Sequence, residues 1–294
     1  MRADLPPPYP PPQGGRGRPQ APEVSTRRWA DGAWAEVDDH LAAEEPLQVL
    51  LDSSPLSVLM RTPGHDVELA LGLLWAERVI TEPGQVLRVR ISAEAGEADG
   101  ELVQGDLVEA NQIDVHLGSL AGPRPQRTFL SSSACGVCGA TTIDDLAHDF
   151  PSLPPGLEVD PRTLVDLADR LRARQSIFES TGGLHAAGLF TTAGEDVTVR
   201  EDVGRHNAVD KVVGRALLDG RLPCSEEVLV VSGRGGYEIV QKAVAAGIPV
   251  VAAVGAPSSL AVATARRFNL TLVGFLRGSR FNVYSSPERL TGPS

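Results

Sequence analysis

The feature that most constrains the fold is a regular alternation of apolar and amphipathic segments in the last part of the chain. Residues 228–231, 250–254 and 270–276 are short and almost entirely apolar, which is typical of strands buried on both faces. Amphipathic spacing predicts helices between them, over residues 238–246 and 259–268. Strands that alternate with helices in this way form a parallel sheet covered on both faces. We therefore predict an α/β domain with a mostly parallel sheet.

The segments before this alternation extend the same domain. Asp160-Pro161 supplies an N-cap and a proline at the first helical position, so a helix is predicted to begin there. Residues 207–218 also have helical spacing, whereas residues 184–190 and 196–200 are predicted strands.

The first half of the chain has a different pattern. Two apolar runs within residues 47–60 are separated by an Asp-Ser-Ser-Pro turn, which predicts a β-hairpin. A helix over residues 66–80 is predicted to follow, and then strands over residues 86–91 and 113–117. This pattern is typical of a small α+β domain.

The chain is therefore predicted to have three parts. Residues 1–22 contain eight prolines, a composition that cannot bury a core, and are predicted to form a disordered tail. Residues 23–128 form the smaller α+β domain, and residues 129–294 form the α/β domain.

Composition excludes several classes of function. The formal charge of −11 argues against non-specific nucleic-acid binding, which depends on Lys and Arg contacts to phosphate. No apolar stretch reaches the roughly 20 residues of a membrane helix, and the amino terminus lacks the pattern of a signal peptide. Only three cysteines are present, so a disulfide framework is not indicated. We expect a cytoplasmic protein that contacts neither nucleic acid nor membrane.

Three glycine-containing loops follow the predicted parallel strands. They cover residues 232–236, 255–259 and 274–280, and in open α/β sheets such loops share the rim where ligands bind. Free amides at helix starts, together with Arg277 or Arg280, suit a phosphate. The loops match neither the P-loop nor the dinucleotide fingerprint. Tight turns are the alternative explanation of these glycines.

Cys135 and Cys138 form a CxxC pair between small residues. Such a pair serves as a redox dithiol, half of a zinc site, a sulfur carrier or two inert cysteines. A structural zinc site needs four ligands, and the only other cysteine is Cys224. We therefore expect no structural metal, and a reactive thiol pair is favoured.

A dense polar motif covers residues 201–211. It places Asp202, His206 and Asn207 at the start of a predicted helix, where acid, base and amide groups are available for catalysis. Asp202 or Asn207 can equally cap that helix, and His206 can be a surface residue. His185, in a second polar turn, is either a base or a core residue bonded to backbone.

Four motifs together resemble the FdhD family of formate dehydrogenase accessory sulfurtransferases, and the resemblance extends from about Trp34 to Ser285. The motifs are Cys135-Gly136-Val137-Cys138-Gly139, Glu179-Ser180-Thr181-Gly182-Gly183-Leu184-His185, Glu201-Asp202-Val203-Gly204-Arg205-His206-Asn207-Ala208-Val209-Asp210-Lys211 and Val231-Ser232-Gly233-Arg234.

The resemblance implies a cytoplasmic carrier that accepts sulfane sulfur from a cysteine desulfurase. It would deliver this sulfur to the molybdenum or tungsten bis-pterin guanine dinucleotide cofactor before that cofactor enters the formate dehydrogenase catalytic subunit. Cys135 would hold the persulfide, and Cys138 would assist or resolve it. The residues that the resemblance and the predicted rim assign to cofactor binding, with GDP as an analogue, are Ser232, Gly233, Arg234, Phe275, Leu276, Arg277, Gly278, Ser279 and Arg280.

The resemblance also implies a cytidine-deaminase-like α/β/α arrangement of the larger domain, and a homodimer. The zinc-deaminase signature itself is missing, because no histidine is followed two residues later by glutamate. The alternative function is a chaperone that binds the molybdenum cofactor without catalysis and whose cysteines are structural.

Overall fold

The computed structural model describes residues 19–92, 103–107, 111–118, 129–131 and 150–292. These residues form a two-stranded hairpin, two six-stranded sheets and six α-helices. The strands of the hairpin and the first sheet are β1 (Glu23–Ala30), β2 (Ala33–His40), β3 (Glu45–Leu51), β4 (Ser54–Arg61), β5 (Val86–Ser92), β6 (Val103–Leu107), β7 (Gln112–Leu117) and β8 (Phe129–Ser131).

The first sheet has the order β6-β5-β7-β3-β4-β8. β3 and β4 pair antiparallel, which confirms the predicted hairpin. β8 pairs in parallel with β4, so this sheet extends to Ser131, beyond the predicted division at residue 128. Helix α1 (Asp66–Ala76) covers the sheet with Leu69, Leu71 and Leu74, which are almost fully buried.

Helix α1 ends four residues before its predicted end. Arg78 adopts a left-handed conformation with φ 57°, and its N–H donates to the Trp75 carbonyl. The N–H of Val79 donates to the Leu74 carbonyl at 2.9 Å. These two bonds form a Schellman motif, which ends the helix although the apolar spacing continues to Ile80.

The second sheet is built by residues 185–285. Its strands are β9 (His185–Thr191), β10 (Asp196–Asp202), β11 (Glu227–Val231), β12 (Val250–Ala253), β13 (Thr271–Arg277) and β14 (Arg280–Ser285), in the order β10-β9-β11-β12-β13-β14. The β11-β12 and β12-β13 pairs are parallel, as the alternating pattern predicts.

The prediction of a mostly parallel sheet is wrong, because the other three pairs are antiparallel. β9 and β10, and β13 and β14, are joined by short turns, which require antiparallel neighbours. Only the connections that contain a helix produce parallel pairs here. The result is a mixed α/β sheet.

Helices cover both faces of this sheet. The helices are α2 (Pro161–Ala173), α3 (Ser176–Thr181), α4 (Arg205–Leu218), α5 (Tyr237–Ala245) and α6 (Ser259–Arg267). Val228 and Val230 of β11 share a core with α2, whereas Leu229 and Val231 share a core with α4 and α5. The Asp160 side chain accepts the Arg162 N–H at 2.8 Å, which confirms the predicted cap of α2.

The helix that covers the first sheet is in close contact with a helix of the second where α1 crosses α4. A Cβ at Gly72 would lie 1.9 Å from the Asp210 carbonyl oxygen, and a Cβ at Gly214 would lie 1.8 Å from that of Glu68. The two glycines therefore permit direct backbone contact between the helices.

Residues 1–18 of the predicted tail lie outside the described residues. The next residues belong to the folded part of the chain. The Ala43 N–H donates to the Gln20 carbonyl, the Leu41 N–H donates to the Pro22 carbonyl, and the Gln20 side chain donates to the Pro63 carbonyl.

Candidate functional site

The loops that follow β11 and β12 lie beside the end of β13, which extends to Arg277, so most of the third predicted loop is strand. The Gly255 N–H donates to the Gly233 carbonyl at 2.9 Å, and the Phe275 N–H donates to the Gly255 carbonyl at 3.1 Å. The Ser232 hydroxyl accepts the Ala186 N–H at 2.9 Å, which joins the first loop to β9. The loops thus form one rim at the carboxyl edge of the parallel strands, the usual ligand-binding edge of an α/β sheet.

Packing accounts for two of the rim glycines. A Cβ at Gly255 would lie 2.9 Å from the Gly233 carbonyl oxygen, and a Cβ at Gly274 would lie 2.7 Å from Cδ of Pro257. These positions need glycine because the loops approach one another closely. The glycines therefore explain the shape of the rim, and the evidence for a ligand must come from its side chains.

The rim exposes cations and one aromatic ring. Arg234, Arg277 and Arg280 are exposed, and the Arg277 Nε donates to the Val254 carbonyl at 3.2 Å. Phe275 is 39% exposed and has φ 56°, in the left-handed region that side chains rarely adopt. Such strain is concentrated at functional positions. Gly278 and Ser279, in the turn between β13 and β14, are also exposed.

One predicted ligand residue does not present its side chain to the rim. Leu276 is 1% exposed and belongs to the core on the α2 face of the sheet. The register of β13 is irregular between Gly274 and Arg277, so Leu276 packs in the same core as Val273, three residues earlier. The Leu276 side chain therefore does not face the rim, and a role of Leu276 in ligand binding stays a prediction for its backbone alone.

His185 and Arg205 lie on either side of the Gly233 turn. The position of a Cβ on Gly233 is 3.4 Å from His185 Nδ1 and 3.7 Å from Arg205 Cδ. Burial, followed by the Arg205 guanidinium, lowers the pKa of His185, and Asp202 opposes this shift. The buried Arg205 Nε has no hydrogen-bond partner among the described residues. A neutral imidazole beside a half-buried guanidinium with an unpaired Nε favours an anion at this point.

The lowered pKa of His206 favours its neutral form. Its Nδ1 lies 3.2 Å from Glu238 Oε2. Burial is the main cause that lowers its pKa to about 3, and Arg205, Lys242 and His185 add to the effect. The neutral ring can donate one hydrogen bond to Glu238, which joins the first turns of α4 and α5.

Asp202 and Lys211 form a buried ion pair. Lys211 Nζ lies 2.7 Å from Asp202 Oδ2, and both side chains are 0% exposed. Lys211 Nζ also donates to the Thr62 carbonyl at 2.9 Å. Asp202 accepts the N–H groups of Thr62 and Gly204 and the Asn207 side-chain amide. The carboxylate therefore binds structural donors and is not available as a catalytic base.

The same motif binds the end of β4 in the first sheet. The Asn207 side chain donates to the Met60 carbonyl at 2.8 Å, and the Val203 N–H donates to the Thr62 hydroxyl at 3.1 Å. The Glu201 carboxylate accepts the N–H groups of Ile177 and Phe178 at the start of α3. Sequence reasoning missed Thr62, because nothing in its local pattern indicates a partner in the other domain.

The predicted thiols, Cys135 and Cys138, lie outside the described residues. Cys224 is described: it is 1% exposed, and burial together with Glu227 raises the pKa of its thiol to about 12. It is therefore unsuited to thiol chemistry. Within the described part of the chain, no three His, Cys, Asp or Glu side chains are grouped as metal ligands.

A polar cavity of about 380 Å³ lies away from the rim. It is lined by Thr191 and Thr192 at the end of β9, which is the end opposite His185, and by residues such as Glu158, Arg221 and Glu227. Its lining includes the 2.6 Å ion pair between Arg221 and Glu227. This cavity therefore contributes nothing to the rim.

The model of the FdhD/NarQ family matches residues 42–291, which include every element from β3 to β14. The chain belongs to the FdhD/NarQ family. This confirms the resemblance that the four motifs indicated. The family match includes both six-stranded sheets and the rim.

Curated relatives extend the FdhD/NarQ match over most of the chain. A sulfur carrier protein FdhD from Streptomyces coelicolor is 48% identical over 270 residues, which cover 90% of this chain and 93% of the relative. The sulfur carrier protein FdhD of Sulfolobus acidocaldarius is 40% identical over 271 residues, covering 92% of this chain and 99% of the relative.

A solved structure supports the fold of this FdhD/NarQ member. It is the crystal structure of a protein described as a formate dehydrogenase accessory protein from Desulfotalea psychrophila. The two share a TM-score of 0.75 at 24% identity, over 93% of this chain and 100% of that one. Separately, no helix in the described ranges is long and apolar enough to cross a membrane.

Proposed function

We propose that this chain is a sulfur carrier that serves a formate dehydrogenase. It would move persulfide sulfur from a cysteine desulfurase to the molybdenum or tungsten bis-pterin guanine dinucleotide cofactor, which is its substrate. The observation that carries this proposal is the burial of Cys224, whose thiol pKa is raised to about 12. Sulfur transfer by this chain must then use Cys135 or Cys138, the CxxC pair.

The chemistry needs both thiols. The Cys135 thiolate attacks the terminal sulfur of the desulfurase persulfide, and the desulfurase cysteine leaves as a thiolate. Cys135 now holds the sulfur as a persulfide. Attack of the Cys138 thiolate on the inner sulfur then forms a Cys135–Cys138 disulfide and releases hydrosulfide to the acceptor. The two thiols supply the two electrons of this step, and a cellular dithiol reductant restores them.

The rim fits the acceptor's nucleotide end. The exposed ring of Phe275 offers a stacking surface for guanine, and Arg234, Arg277 and Arg280 offer cations for its phosphates. Further anion-binding capacity comes from the unpaired Nε of Arg205. Gly233, Gly278 and Ser279 contribute backbone amides, whereas Leu276 contributes backbone only.

The wider proposal follows from the family and from composition. The desulfurase and the formate dehydrogenase catalytic subunit are the macromolecular partners, the chain acts as a homodimer, and it works in the cytoplasm. Its larger domain is a cytidine-deaminase-like arrangement without the catalytic zinc. The helices on both faces of the second sheet support this assignment.

The function is tested by reconstitution. A desulfurase, sulfur-35 cysteine, this chain, the free cofactor and cofactor-free formate dehydrogenase are combined, and labelled sulfur on the cofactor is measured beside formate oxidation. Cys135→Ala should abolish both signals, whereas Cys224→Ala, as the matched control, should keep both. If Cys135→Ala matures the dehydrogenase normally, the chain is a chaperone with structural cysteines.

The acceptor site is tested separately with GDP as the probe. Phe275→Ala and Arg277→Ala should each weaken GDP binding measured by calorimetry, by about tenfold or more for loss of a stacked base. Arg174→Ala, which changes an exposed arginine of another surface, is the control and should not alter binding. Equal GDP affinity in all four proteins would place the nucleotide elsewhere.

A further inference from the structure

The β1–β2 hairpin lies outside both six-stranded sheets. Its strands are eight residues each and are joined by Asp31-Gly32, with φ 52° and 80°, as a type I′ turn requires. Among the described strands, β1 and β2 pair only with each other. Two large side chains near the tip are exposed, Trp29 by 56% and Trp34 by 59%.

Such a hairpin is not stable by its own contacts. An isolated pair of strands is at best marginally stable in water, since neither face is buried. Among the described residues, this hairpin is held mainly at its base: the Gln20 side chain donates to the Pro63 carbonyl, a Cβ at Gly183 would lie 3.0 Å from Ala42, and α3 lies against β2. A 16-residue apolar and charged surface with two exposed tryptophans is typical of a protein interface.

The hydrogen-bond register shows which backbone groups of β1 have no partner among the described strands. The Leu41 N–H donates to the Pro22 carbonyl, so the pair 22/41 has the hydrogen-bonded geometry. Hydrogen-bonded pairs alternate along the ladder, so the even-numbered residues of β1 direct their backbone N–H and C=O groups toward β2. The odd residues, Glu23, Ser25, Arg27 and Trp29, direct their backbone N–H and C=O groups to the open edge.

We propose that β1 pairs antiparallel with β1 of a second copy, around a two-fold axis at Ser25. This register places Glu23 opposite Arg27 of the partner subunit, and Arg27 opposite Glu23 of the partner subunit. Opposite charges in facing positions stabilise a strand pair, whereas like charges destabilise it. The corresponding pairing of β2 about Val37 would place Glu36 opposite Asp38 of the partner subunit. These like charges repel, so pairing through β1 is favoured over pairing through β2.

The paired arms form a four-stranded antiparallel sheet with the order β2-β1-β1-β2. In this register Trp29 faces Ala21 of the partner subunit, at the base of the other hairpin. Each exposed indole therefore gains a surface to cover it. A two-fold axis repeats every contact, as in other isologous interfaces. The proposal specifies the surface of the homodimer and does not depend on sulfur transfer.

Cysteine cross-linking tests this register. Ser25→Cys is placed in a Cys135→Ala/Cys138→Ala background, which leaves buried Cys224 as the remaining native thiol. Facing residues in a hydrogen-bonded pair have Cα atoms about 5.5 Å apart, a separation that a disulfide spans. Mild oxidation should convert the chain to a disulfide-linked dimer on a non-reducing gel.

Asp38→Cys is the matched control, because Asp38 faces Ser25 across the hairpin and lies on its other edge. It should not cross-link. A monomer in light scattering, or equal cross-linking from both positions, would overturn the proposal. Because Cys135 and Cys138 are replaced in this background, the cross-link is scored without sulfur transfer, and failure of the proposed function would leave its result unchanged.

A charge swap provides a second, independent readout. Glu23→Arg or Arg27→Glu alone should weaken dimerisation about tenfold, since two symmetric pairs change from attraction to repulsion. The double variant restores opposite charges and should recover the dimer. Arg27 also stacks on Trp34, 5.3 Å from its ring centroid, and that contact stays lost in the double variant. Recovery therefore reports the contact between copies, and no recovery would refute the register.

Discussion

Lys211→Met separates the structural role of the 201–211 motif from a catalytic one. Methionine retains most of the side-chain volume of lysine. It leaves the Asp202 carboxylate, which is 0% exposed, without its cation. It also removes the donor to the Thr62 carbonyl. Breaking a buried ion pair on one side costs about 3–5 kcal/mol of unfolding free energy. For a chain of this size each kcal/mol lowers Tm by roughly 2–4 °C, so we expect a loss on the order of 10 °C.

Urea unfolding followed by circular dichroism measures this change. Arg174→Ala is the control: its ion pair with Asp196, at 2.6 Å, involves side chains that are 62% and 24% exposed. An exposed pair of this kind contributes about 1 kcal/mol or less. Asp202→Asn combined with Lys211→Met should recover part of the loss, because no unpaired charge stays buried.

A loss below about 1 kcal/mol in Lys211→Met would refute this reasoning, since it would show that Asp202 does not depend on a buried cation. Unchanged stability with impaired sulfur transfer would instead make Lys211 a catalytic residue.

Three further predictions concern packing, protonation and thiol reactivity. Gly214→Ala should lower Tm despite a helix-propensity gain of about 1 kcal/mol, because its Cβ would lie 1.8 Å from the Glu68 carbonyl oxygen. Gly84→Ala is the control: open space surrounds Gly84, so Tm should be nearly unchanged. The His206 imidazole should titrate in NMR spectra with a midpoint near its pKa of about 3, against an ordinary value of 6.5. The unfolded state then binds a proton that the folded state excludes, so His206 reduces stability as pH falls from about 6.5 toward 3; a midpoint near 6.5 would contradict this. Cys224, with its pKa raised to about 12, should resist iodoacetamide at pH 8 in the native chain and react after denaturation, as peptide mass spectrometry will show; rapid native labelling would contradict its burial.

Local signals in the sequence predicted a large part of the fold. The cap at Asp160 and the apolar runs of β11, β12 and β13 identify their elements, because caps and buried strands depend on neighbouring residues. The β1–β2 hairpin was missed, although Asp31-Gly32 is a strong turn signal. The direction of the outer strand pairs follows from connection length, which the alternation of strands and helices does not specify.

The candidate site was predictable in its position but less so in its details. The rim follows from topology, since parallel strands end at one edge. The burial of Leu276 and the bonds from Thr62 to Asp202 depend on tertiary packing between segments distant in sequence. The dense polar motif indicated chemistry, yet most of its groups join the two domains. Arg205 is the exception, with a buried Nε that has no partner among the described residues.

The central claim is that the CxxC pair carries sulfur. Its most direct test is peptide mass spectrometry of the chain after incubation with a cysteine desulfurase and L-cysteine, beside Cys135→Ala and Cys138→Ala. We predict that the Cys135 peptide gains one sulfur atom and that reductant removes it. Cys135→Ala should abolish this gain, and the Cys224 peptide should never show it. No added sulfur on Cys135 or Cys138, in the presence of an active desulfurase that binds the chain, would contradict it.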